Sequence, residues 1–110
     1  MTTTSTSRTP TAKASQYLQQ LCKHWSHSLP ISFTALEGKV TFPKDARGAN
    51  WPGDAILVLR ADADTLECHI EASVKEQLEA LKTTVATHLD RFAFREAPLL
   101  FDWQDEECPA

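Results

Sequence analysis

Leu66-Glu67-Cys68-His69-Ile70-Glu71 is followed, after Ala72, by Ser73-Val74-Lys75-Glu76-Gln77-Leu78 and an apolar series running to Phe92. In the first part apolar and polar residues alternate. Leu66, Cys68 and Ile70 therefore share one face of a strand, and Glu67, His69 and Glu71 share the other. Beyond Ser73 the period lengthens to that of a helix, with Val74, Leu78, Leu81, Val85, Leu89 and Phe92 on one stripe. Ser73 reads as the N-cap, and Glu76 three residues on completes a capping box. A half-buried antiparallel strand feeding an amphipathic helix calls for a sheet and helices packed face to face, an α+β domain.

Working outward, Ala55 to Arg60 is apolar on both faces and reads as a central strand, joined to the next by Ala61-Asp62-Ala63-Asp64. Two more alternating stretches precede it, Ile31 to Leu36 and Lys39 to Phe42. Glu37-Gly38 between them suits a tight hairpin turn with Gly38 at positive φ. Lys44 to Asp54 is a loop. Further back, Ala14, Tyr17, Leu18, Leu21, Cys22 and Trp25 form one apolar face, predicting a helix over Ala14 to His27. Ser28-Leu29-Pro30 ends it, because the residue before a proline is pushed out of the α region. At the other end Leu99 to Trp103 reads as a short final strand. The expected fold is a two-layer α+β domain over residues 8–104, with a four-stranded antiparallel sheet and two helices on one face. Residues 1–7 are expected to form a disordered Thr/Ser-rich tail and residues 105–110 an acidic tail.

Composition narrows the function classes. The chain has 110 residues, 42% of them hydrophobic, enough for one domain with its own core. The 11 basic and 15 acidic residues give a net charge of −4, and the basic ones are scattered. That argues against nucleic-acid binding, which needs a clustered basic face. No apolar run approaches the ~20 residues of a membrane helix. Cys22, Cys68 and Cys108 are odd in number and far apart, which favours a reducing cytoplasm over a disulfide framework.

The segment Cys22-Lys23-His24-Trp25-Ser26-His27 carries the densest chemistry. On a helix, however, residues two apart diverge by about 160°, so Cys22 and His24 cannot share one metal. Cys22 reads as a buried thiol. His24 and His27 lie three apart on one side and are candidate metal or ligand residues. His88 falls on the apolar stripe of the second helix and is a third candidate, lining a pocket between helix and sheet. His69 belongs to the outer face of its strand, solvated or in a sheet-to-sheet dimer. Trp25, Trp51, Arg91, Arg95 and Trp103 are candidate pocket or interface residues. No phosphate loop, nucleophile elbow or calcium loop is present, and no cofactor follows from the residues.

Tyr17–Trp25 (YLQQLCKHW), His88–Glu96 (HLDRFAFRE) and Phe101-Asp102-Trp103 together resemble the bacterial family called domain of unknown function 2218. The resemblance implies a short strand before the first helix, near Ser7 to Thr11, which Pro10 weakens or confines to an edge. The order then becomes β-α-β-β-β-β-α with a possible fifth strand, similar to the TATA-binding-protein-like arrangement. The family has no established activity. It implies a small cytoplasmic protein and an association with siderophore-interacting flavin reductases. The expected function is a non-catalytic binding or interaction module that forms a homodimer. The alternative is an accessory role in iron or siderophore handling, with a histidine site and a small molecule or siderophore reductase as partner.

Overall fold

The computed structural model describes residues 2–45, 50–93, 99 and 101–108. The elements are β1 (Thr2–Pro10), α1 (Ala14–Trp25), β2 (Ile31–Phe33), β3 (Glu37–Phe42), β4 (Ala55–Ala61), β5 (Thr65–Ala72), α2 (Lys75–Phe92) and β6 (Gln104–Cys108). The strands form a single sheet in the order β2-β3-β4-β5-β1-β6, and every neighbouring pair is antiparallel. The expected class holds: α+β, an open antiparallel sheet and two helices. The sheet has six strands instead of four or five.

Register carries one set of side chains straight across the sheet. Val40 lies opposite Leu57, Leu57 opposite Ile70, and Ile70 opposite Ser5. This face is buried and meets Leu18, Leu21, Cys22 and Trp25 of α1 and Leu78, Leu81, Val85 and Leu89 of α2. α1 lies over β2, β3 and β4, and α2 over β5 and β1. Among the described residues no helix lies on the opposite face. Among the described residues no helix is long and apolar enough to cross a membrane.

Both ends of the chain differ from the sequence expectation. Thr2 to Ser7 is no tail, and the strand is not confined to Ser7–Thr11. Nine residues form β1 and pair with β5 from Thr3 to Pro10. Threonine suits a pleated surface through its β-branch, so a Thr-rich segment is a competent strand without apolar alternation. Pro10 does sit at its end, where no N–H is required of it. The final strand is not Leu99–Trp103 but Gln104–Cys108, so the acidic residues 105–107 lie in β6, paired with β1.

Three local readings also change. The hairpin turn lies at Thr34–Leu36, where the Thr34 hydroxyl accepts from the amides of Leu36 and Glu37. Gly38 is inside β3 and is needed for close packing: a Cβ there would stand 2.8 Å from the Cys22 sulfur. The capping partner of Ser73 is Gln77 in place of Glu76. The Gln77 side-chain oxygen accepts from the Ser73 amide at 2.8 Å, and its NH₂ group donates to the Gly53 carbonyl at 3.0 Å. The helix then starts at Lys75, with Val74 in the extended cap position. Helix α1 stops at Trp25, two residues early, where the Ser26 hydroxyl donates to the Lys23 carbonyl.

Candidate functional site

The C-terminal turns of the two helices meet, and there the sequence candidates divide. His24 projects from the last turn of α1 and is exposed. His88 projects from α2, one turn before Phe92, and is half-buried. The two imidazole centroids lie 5.5 Å apart. His88 also contacts the Trp25 indole at 5.1 Å, and Phe92 meets the His24 ring edge-on at 5.8 Å. Residues four apart stand on the same side of a helix, so His88 and Phe92 bracket His24. Trp25 itself is 1% exposed and packs edge-to-face on Phe42. It supports the junction from the core and offers no interface surface of its own.

The His88 ring orientation follows from one contact. Its Nδ1 lies 2.7 Å from the Thr84 carbonyl oxygen. A carbonyl only accepts, so Nδ1 carries a proton, and in the neutral ring Nε2 keeps the lone pair. His27 lies beyond the end of α1, exposed. Arg91 is exposed, Trp51 is half-buried in its loop, and Trp103 stacks on Phe101 at 5.8 Å. Arg95 lies outside the described residues. Among the described residues no group of three or more His, Cys, Asp and Glu is arranged to hold a metal. Cys22 and Cys68 are buried thiols. Burial pushes Cys22 up to about 11; burial, then the neighbouring Glu67 carboxylate, pushes Cys68 up to about 12. Both are protonated at neutral pH and poor nucleophiles.

A second site, missed in the sequence, lies on the helix-free face. Its register rows read Glu37–Arg60–Glu67–Arg8 and Lys39–Val58–His69–Thr6. The first row alternates in charge, with ion pairs of 3.6 Å (Arg60–Glu37) and 3.4 Å (Arg8–Glu67). These pairs are largely exposed and contribute little stability. In the second row the Thr6 hydroxyl and His69 Nδ1 are 2.7 Å apart. An open cleft of about 440 Å³ lies beside them, lined by Thr6, Arg8, Asp102 and Gln104. It exists because β6 pairs with β1 only as far as Thr6, leaving the edge from Ser7 onward to be crossed by the incoming chain, whose Asp102 amide donates to the Ser7 hydroxyl. Hydroxyl and imidazole at this spacing resemble a nucleophile and its base. Among the described residues, however, no group holds the other His69 nitrogen, as a triad requires.

A family model for uncharacterised proteins conserved in bacteria matches residues 6–104, from the second half of β1 to the first residue of β6. The chain belongs to the DUF2218 family. One solved structure similar to it is the NMR structure of PA4090 from Pseudomonas aeruginosa, 29% identical, with a TM-score of 0.70, covering 92% of this chain and 94% of that one. The family match takes in both the helix junction and the cleft. No functionally curated protein matches the chain.

Proposed function

We propose that this DUF2218 protein is a non-catalytic binding module whose ligand is a small polar molecule bearing a carboxylate or phosphate, held on the helix-free face of the sheet. The observation that carries the reading is the cleft at the β1–β6 edge. Its lining combines a cation (Arg8), an anion (Asp102) and two neutral hydrogen-bonding groups (Thr6 and Gln104), with the Thr6–His69 contact at its margin. Ligand sites typically have volumes of ~300–1,000 Å³ and a few convergent polar groups that fix orientation, and the cleft falls in that range. Arg8 supplies the planar fork that recognises carboxylate or phosphate. Asp102 is already engaged by the Gln104 amide at 2.9 Å, which lessens its repulsion of an anion.

The test is a titration of isotopically labelled protein, at fixed protein concentration, with a panel of small carboxylates and phosphates. Backbone signals of Thr6, Arg8, His69 and Gln104 are expected to shift together and saturably, and Arg8→Ala is expected to abolish the shifts. Arg8 is exposed, so its replacement leaves the fold intact. A panel that leaves these four residues unmoved, or an effect that Arg8→Ala leaves in place, would remove the cleft as the binding surface.

A further inference from the structure

We infer that His24 and His88 form a binding site for a divalent first-row transition metal of the zinc, nickel and copper class, separate from the sheet-face cleft and independent of it. Their ring centroids are 5.5 Å apart. Two imidazoles on one tetrahedral ion, with metal–nitrogen bonds of about 2.0–2.1 Å, place their centroids roughly 5 Å apart, so the spacing of the two rings matches that of a shared ion. His88 is already oriented for it. Its Nδ1–H is bound to the Thr84 carbonyl at 2.7 Å, leaving Nε2 without a hydrogen-bond partner among the described residues. A backbone carbonyl on the non-ligating nitrogen is the usual way in which a metal-binding histidine is fixed in tautomer and direction.

A further observation lies one turn before His24. The side-chain oxygen of Gln20 is buried and has no hydrogen-bond partner among the described residues. Helical side chains lean back over the preceding turn, so His24 overlies the Gln20 position. A buried acceptor left open calls for a donor. Trp25 and Phe92 flank the histidine rings, giving one side of the site an apolar wall that favours charge-assisted contacts. Imidazole ligands suit zinc, nickel and copper over calcium or magnesium. With two protein ligands, the remaining positions of the ion are open to water or to a ligand carried in with it.

The experiment uses the untagged full-length chain and the metal salts alone. Zn(II) and Ni(II) are titrated by calorimetry, and the imidazole signals of all four histidines are followed by NMR. One equivalent is expected to bind and to move the His24 and His88 ring signals together. His24→Ala, at an exposed position, is expected to weaken binding at least about tenfold. His88→Gln is expected to do the same, with backbone spectra of both variants confirming the fold. His27→Ala should bind like the wild type. Wild-type protein that binds no equivalent, His24→Ala that binds undiminished, or His27→Ala that loses as much as His24→Ala would overturn the assignment; the last result would place the ion on His24 and His27 instead.

Discussion

Replacing Gly38 by alanine tests whether the helix-to-sheet distance under α1 is set by the missing side chain. The added Cβ would stand 2.8 Å from Cys22 Sγ, 3.4 Å from Phe33 Cβ and 3.5 Å from Leu18 Cδ2. Cys22 and Leu18 are fully buried, so neither can swing away into solvent. Overpacking of this kind costs about 1–3 kcal/mol. The loss of glycine's freedom in the unfolded chain offsets about 0.4–1 kcal/mol of it. The net destabilisation is then about 1–2 kcal/mol. For a chain of this length it corresponds to about 4 °C in melting temperature per kcal/mol. The contact with sulfur dominates, so the penalty should depend on it. In a Cys22→Ala background, Gly38→Ala is expected to cost nothing within about 0.5 kcal/mol, giving a coupling energy of about 1–2 kcal/mol in the double-mutant cycle. Urea unfolding of the four proteins, followed by circular dichroism, measures all sides of the cycle. Strictly additive effects would refute the steric account, and so would a stabilised Gly38→Ala single variant.

Gln77→Ala removes the acceptor for the Ser73 amide and the donor to the Gly53 carbonyl from a side chain that is 2% exposed, and should destabilise by about 2–3 kcal/mol. Gln77→Glu restores the acceptor alone and should recover only part of that loss in the same unfolding assay. Alkaline pH should weaken the fold through the buried thiols. Below about 9 both are protonated in the folded and unfolded chain and their contribution is complete. As pH rises toward about 11 for Cys22 and about 12 for Cys68, the unfolded chain ionises first and stability falls. Cys68 accounts for up to roughly 4 kcal/mol by the top of that range, so urea midpoints from pH 8 to 11 should fall less steeply for Cys68→Ala than for the wild type; parallel curves would contradict this.

The elements that the sequence makes legible are those held by apolar burial. Leu66, Cys68 and Ile70 alternate because they face a helix layer, and Leu78, Leu81, Val85 and Leu89 recur because they form its underside. The same logic located Tyr17, Leu18, Leu21, Cys22 and Trp25 on α1. It also separated Cys22 from His24. It could not bring His24 to His88, because that meeting depends on the relative placement of two helices whose facing histidines are 64 residues apart in the chain, and no local period encodes it. The cleft was hidden for a different reason. Its lining comes from residues 6 and 8 and residues 102 and 104, brought together by the β1–β6 pairing and the hydrogen bond from the Asp102 amide to Ser7. Thr6, Arg8 and Gln104 resemble ordinary surface residues until that register is known. In the Thr-rich run, Thr3, Ser5, Ser7 and Thr9 alternate with Thr4, Thr6 and Arg8, hydroxyl residues on both faces apart from Arg8, so only the strand preference of Thr marks it. Hydropathy alone passes over it.

That difference divides the sheet into two mechanically distinct parts. From β2 to β5 the inner face is apolar, and Val40, Leu57, Leu59, Leu66 and Ile70 are fully buried. From β1 outward the inner face is built of hydroxyls, and the contacts become polar. The Ser5 hydroxyl donates to Asp105 at 2.6 Å, Lys82 of α2 reaches the same carboxylate oxygen at 2.6 Å, and the Asp102 amide donates to Ser7 at 3.2 Å. Leu99, Phe101 and Trp103 add apolar cover over this otherwise polar margin. The hydrogen bond from Lys82, then that from Ser5, holds the Asp105 carboxyl below its ordinary range, so this anchor is present above the normal carboxylate pKa and weakens as pH falls through the lowered one. Polar contacts at a partly exposed edge are individually weak and open at lower free energy than a packed core. The cleft therefore lies in the part of the fold best able to adjust its width around a ligand, whereas the histidine junction stands on Trp25 and the rigid core. A ligand at the cleft should accordingly slow amide exchange in β6 and at Asp102 while leaving β4 and β5 unchanged, and a metal at His24 and His88 should leave β6 exchange as it was.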